Sequence, residues 1–64
     1  MNRFQEWITD QGDTAFKADK KAGKRLNTSL HTIKSYRIGR RQPTIKNAKL
    51  HMKKLKGLRL EDFY

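Results

Sequence analysis

Apolar residues recur along the chain at intervals of three and four, the spacing of helices that bury one face. Phe4, Trp7 and Ile8 mark a first helix over residues 2–11, which Asn2 can cap and Gly12 can end. Ala22 and Leu26 share one side of a second helix, while Lys20, Lys21, Lys24 and Arg25 fill positions that face elsewhere. Asn27 should stop it, because asparagine tolerates the left-handed conformation that terminates a helix. Thr28 and Ser29 then offer capping hydroxyls for a third helix, 29–38, with Ile33 and Tyr36 inward and Leu30 near the edge. Gly39 gives a stop, and Pro43 bars a helix from running back through Arg40 and Arg41. A fourth helix, 45–56, has Thr44 as its cap, Ile45, Ala48, Met52 and Leu55 as its buried stripe, and Lys46, Lys49, Lys53 and Lys54 facing out. Gly57 ends it, and a short segment at 60–63 closes the chain.

Residues 12–18 admit two readings. Asp13 or Thr14 can cap an early start of the second helix, placing Ala15, Ala18, Ala22 and Leu26 along one side with Phe16 beside them. Otherwise residues 12–17 form a longer loop packed by Phe16. The first reading gives a helix over 14–26.

Two short helices joined by so short a turn cannot lie antiparallel, so they cross steeply and the second is pushed outward, a helix-turn-helix arrangement. Ala22, Gly23, Leu26, Asn27, Thr28, Ser29, Ile33, Tyr36 and the run Gly39-Arg40-Arg41-Gln42-Pro43-Thr44 resemble the Cro and phage-repressor type of helix-turn-helix domain, the lambda-repressor-like group. Leu55 to Phe63 is similar to that family's ending, a glycine stop followed by a short amphipathic helix. The resemblance covers residues 19–63 well and 1–18 poorly. It implies an all-α, compact four- to five-helix bundle, a recognition helix at 29–38 that enters the major groove, and phosphate clamps at the start of helix 2 and around the turn into helix 4. Asp19 stands at the first of these clamps and would repel a phosphate, which leaves Lys20 or Lys17 to substitute.

At 64 residues the chain is one domain, small enough to bury only about 60% of its unfolded surface. It has no cysteine, and its two histidines lie twenty apart, a poor ligand set, so no metal or other cofactor is expected. No apolar run has signal-peptide or membrane-span length, which gives the expectation of a soluble, cytoplasmic protein with no membrane partner. Sixteen Lys and Arg against six Asp and Glu give a net charge of +10. Every acid lies outside the stretch from Lys20 to Arg59, which holds fourteen of the basic residues. Such segregation points to a polyanion, and nucleic acid is the common one. No nucleophile with a base beside it, no paired carboxylates and no glycine-rich phosphate loop are visible, so an enzyme is not expected.

With Ile33 and Tyr36 turned inward, His31, Lys34, Ser35 and Ile38 should lie on the opposite face of the third helix. Base reading is accordingly assigned to Ser29, Leu30, His31, Lys34 and Ser35. His31 can donate to guanine, Ser35 can donate or accept, Lys34 can reach guanine or a phosphate, and Leu30 can pack on a thymine methyl. Phosphate binding is assigned to Lys20, Thr28, Arg37, Arg40, Arg41, Thr44, Lys46 and Asn47, through arginine's planar fork and the amino end of helix 4. The expected partner is a double-stranded operator with an inverted repeat. Leu58, Leu60, Phe63 and Tyr64 supply more apolar surface than a chain end needs, hence a homodimer contact. The resemblance implies repression of transcription. The competing readings are an excisionase-like DNA-bending protein, a basic RNA-binding protein and an antitoxin-type interaction module.

Overall fold

The computed structural model describes residues 1–64, with α1 at Arg3–Thr9, α2 at Ala15–Leu26, α3 at Leu30–Arg37, α4 at Ile45–Lys54 and a 3-10 turn at Leu60–Phe63. The architecture is all-helical, and no helix is long and apolar enough to cross a membrane. Local chemistry sets the starts and stops. Asn2 caps α1 in a reciprocal capping box: its Oδ1 accepts the Gln5 amide at 2.8 Å, and its own amide donates to Gln5 Oε1 at 2.7 Å. Thr14 caps α2, Ser29 caps α3 and Thr44 caps α4, each accepting the amide three residues on. Thr14 thus selects the long α2 over the loop. Asn27 ends α2 at φ 52°, and Gly39 follows α3 at φ 79°. At Gly23 a Cβ would lie 2.7 Å from the Thr28 carbonyl oxygen, so the absence of a side chain lets the turn fold down onto α2.

The core joins all four helices and the carboxyl end: Phe4 and Ile8, Ala22 and Leu26, Ile33 and Tyr36, Ala48 and Leu55, and Phe63. Phe4 is its hub, with ring centroids 4.5 Å from Phe63, 5.7 Å from Tyr36, 5.9 Å from His51 and 6.3 Å from Trp7. Gln5 adds a link to α3, its Nε2 donating to the Tyr36 carbonyl at 3.2 Å.

Two expectations about this core are corrected. In α4 the inward arc centres on Ala48, His51 and Leu55, and Ile45, on the edge of that arc in the first turn, is 60% exposed. A buried histidine takes the place given to an isoleucine. At the carboxyl end Phe63 is fully buried, Leu58 and Leu60 pack against the core, and the Tyr64 hydroxyl donates to the Pro43 carbonyl at 2.8 Å. Phe63 is therefore unavailable to a second copy, and the segment spends most of its apolar surface on its own chain. The helices are also shorter than expected at some ends, α1 stopping at Thr9 and α4 at Lys54, where Leu55 leaves helical geometry.

Between α2 and α3 lies a buried ion pair that periodicity did not disclose. Arg37 Nε donates to Asp19 Oδ1 at 2.7 Å and its Nη2 to Oδ2 at 3.0 Å, a two-bond fork. The Asp19 side chain is 4% exposed and that of Arg37 18%. The hydrogen bond to Asp19 holds the Arg37 guanidinium even further above its ordinary value.

Two stability measurements follow from these contacts. Removing one partner of a buried pair strands the other charge, so Asp19→Ala should lose about 3 kcal/mol by urea unfolding, the low end of the range because Arg37 keeps some solvent. The double substitution Asp19→Leu/Arg37→Leu should recover most of that loss. His51 Nε2 is buried with no hydrogen-bond partner, and burial, helped by Lys54, lowers the His51 pKa from 6.5. A histidine that is harder to protonate when folded contributes stability that is fully present above the unfolded value. That contribution is lost as pH falls through 6.5 toward the lower folded value. His51→Phe should flatten this acid-side slope in thermal unfolding followed by circular dichroism.

Candidate nucleic-acid interface

Three residues, Asn27 to Ser29, join α2 to α3, and the turn is knit to the helix it leaves: the Thr28 amide donates to the Gly23 carbonyl at 2.9 Å and its hydroxyl to the Leu26 carbonyl at 3.0 Å. Ser29 accepts the Thr32 amide at 3.3 Å and donates to Thr32 Oγ1 at 2.9 Å. Both hydroxyls assigned to DNA contact thus hold the turn and the start of α3. The exposed face of α3 is a row of Leu30, Lys34 and Ile38, one turn apart, with His31 beside it. Leu30 and Ile38 are 41% and 52% exposed.

Ser35 does not belong to this face. It is 5% exposed, and its hydroxyl donates to the His31 carbonyl at 3.1 Å. The physical reason lies downstream. After Gly39 the chain doubles back, and the amides of Arg40 and Arg41 both donate to the Ser35 carbonyl, at 2.9 and 3.2 Å, covering that side of the helix. Arg37 is corrected likewise, since its fork is committed to Asp19. Asp19, expected as an exposed repulsive charge, is buried and neutralised.

The remaining cations stay in solvent. Lys20, Arg40, Arg41, Lys46 and Asn47 are exposed, as is Thr44, whose oxygen accepts the Asn47 amide at 3.2 Å while its proton remains to donate. The structure does not gather them into one cluster. Lys20 and Lys24 sit beside Ser29 and Leu30 along the open groove at the α2–α3 turn. Arg41 instead shares a hollow with Met1, Gln5 and Tyr64 at the amino end of α1. Lys46 and Asn47 occupy the first turn of α4, whose amino end carries no acid.

Lys20, Lys21 and Lys24, expected to face away from the core, form one continuous basic stripe on α2 together with Lys17. One feature of this surface escaped the sequence reading. Phe16, in the first turn of α2, is 61% exposed. With Ala15 it faces Leu30, Lys34 and Arg37 of α3 across a cleft of about 330 Å³, and the Asp19–Arg37 pair lines the space between them. Burial raises the Tyr36 phenol above its ordinary pKa, with Arg41 pulling the other way, so this ring stays neutral and serves the core.

In chemical terms the surface offers exposed ammonium and guanidinium groups, an imidazole, and apolar side chains between them. No group of His, Asp and Glu has the arrangement to hold a metal ion. In comparisons with known proteins, no family model, no curated protein and no solved structure matches this chain.

Proposed function

We propose that the chain is a sequence-specific double-stranded DNA-binding regulator in which α2, the turn at Asn27–Ser29 and α3 act as a helix-turn-helix. In this reading α3 lies in the major groove and the chain represses transcription by occupying an operator. The observation that carries it is the exposed row of Leu30, His31, Lys34 and Ile38, with Lys20 and Lys24 beside its first residue along the groove at the α2–α3 turn and no acid anywhere from Lys20 to Arg59. An α-helix fits the major groove, and cations beside it would meet the phosphate backbone.

The roles divide as follows. Lys20 and Lys24, with Lys17 and Lys21, meet one backbone, while Arg40 and Lys46 with the amino end of α4 meet the other. His31 and Lys34 present the hydrogen-bonding groups that face bases. Two copies on an inverted repeat would set half-sites about 34 Å apart. The uncompensated charge of +10 fits the same reading, since a polyanion relieves the self-repulsion that weakens so small a core.

Fluorescence anisotropy with a selected duplex and a random duplex tests the proposal. About five neutralised phosphates per chain give a slope of log affinity against log salt of roughly −4.5. His31→Ala should reduce the preference for the selected duplex more than it weakens binding to the random one. Arg40→Ala should weaken both alike and make the salt slope shallower by about 1. Equal effects of the two substitutions on both duplexes would sink this division of roles.

A further inference from the structure

The surface assigned to DNA is poor in the groups that read bases by hydrogen bonding. Arg37 is tied to Asp19, Ser35 is covered, and the hydroxyl of Ser29 is spent on Thr32. No asparagine, glutamine or free arginine lies on the outer face of α3, so the paired hydrogen bonds that usually distinguish adenine and guanine are not on offer. What remains is two hydrogen-bonding side chains, His31 and Lys34, against three exposed large apolar ones. Phe16, Ile38 and Leu30 are 61%, 52% and 41% exposed.

An apolar surface of this kind calls for an occupant. Phe16 and Leu30 face each other across the cleft between the first turns of α2 and α3, with Lys34 at its edge. The one acid there, Asp19, is neutralised, and Lys17 and Lys20 follow on the exposed side of α2. Charge complementarity therefore selects a partner that sets small apolar groups within a dense array of negative charge. The major groove does so at each thymine, whose C5 methyl projects between the phosphate backbones.

We infer that the chain discriminates among sequences mainly by packing Phe16 and Leu30, with Ile38 at the far end of α3, on thymine methyl groups, and that His31 and Lys34 add the smaller hydrogen-bonded part. This inference rests on the DNA-binding reading above. The Asp19–Arg37 pair has a second consequence under it. By holding α2 and α3 together it fixes the width of the cleft that receives the methyl, making both residues positioning residues for readout.

The test compares duplexes that differ by the methyl alone. A 30-base-pair alternating A·T duplex is prepared with thymine and with deoxyuridine, and a G·C duplex with cytosine and with 5-methylcytosine. Each methyl buried should be worth about fourfold in affinity, so the thymine duplex should bind several-fold more tightly than its deoxyuridine twin. The methylated G·C duplex should gain in the same direction. Phe16→Ser and Leu30→Ser should each bring the thymine-to-deoxyuridine ratio toward one, while Leu50→Ser, an exposed apolar position on α4, should leave it as in the parent. Equal affinity of the parent for both members of each pair overturns the inference and leaves the DNA reading standing. Failure to bind any of the four at low salt overturns both. Phe16-dependent binding to phosphatidylglycerol vesicles with a ratio of one would also overturn it, giving the apolar cleft to a lipid surface.

Discussion

The two-bond pair between Asp19 and Arg37 ties α2 to α3, and the rest of the proposed binding surface depends on it. A carboxylate 4% exposed cannot stand alone in so small a protein, because an unpaired charge at that depth costs several kcal/mol. Pairing converts that liability into a constraint: the two helices are held in one relation, with the guanidinium plane fixing the approach. It also removes one negative and one positive charge from the surface at once. The field of the basic half then comes from side chains in solvent, and the cleft between Phe16 and Leu30 keeps a neutral wall.

Stability and charge oppose each other throughout this molecule. The core is a single aromatic and aliphatic cluster built around Phe4, with three small residues, Ala18, Ala22 and Ala48, letting the helices come close. A cluster of this size supplies a few kcal/mol at most. Against it stands the mutual repulsion of the basic residues, relieved within the stretch from Lys20 to Arg59 only at Arg37, by Asp19, and weakly at Arg59, by Glu61. The local devices matter more as a result. Four side-chain caps, the Gln5 bridge to α3 and the Tyr64 bond to Pro43 each contribute a small amount where a larger protein would rely on burial.

Much of the fold was legible because its signals are local. Asn2, Thr14, Ser29 and Thr44 act within one turn of themselves, and Asn27 and Gly39 reverse the chain through their own backbone preferences. What stayed hidden depends on residues distant in the chain. Asp19 and Arg37 are eighteen positions apart and look like two ordinary exposed charges until α2 and α3 meet. Ser35 sits at the outward angle of an ideal helix, and only the return of Arg40 and Arg41 over it puts it inside. Ile45 stays outside and His51 turns in because the arc of α4 that meets Phe4 and Phe63 is decided by those rings, not by the hydropathy of α4 itself. Phe16 was ambiguous for a related reason: periodicity marked it as apolar but could not say that nothing would cover it.

The central claim, that the outer face of α3 and the first turns of α2 form the nucleic-acid surface, is tested most directly by amide and side-chain NMR shifts during titration with a short duplex. The account predicts that the largest changes fall on Phe16, Lys20, Leu30, His31, Lys34 and Ile38, with smaller ones at Arg40 and Lys46, while Glu6, Trp7 and the carboxyl-terminal turn stay still. Changes centred instead on Leu50, Lys53 and Lys54 of α4, or spread evenly over every lysine, would contradict it.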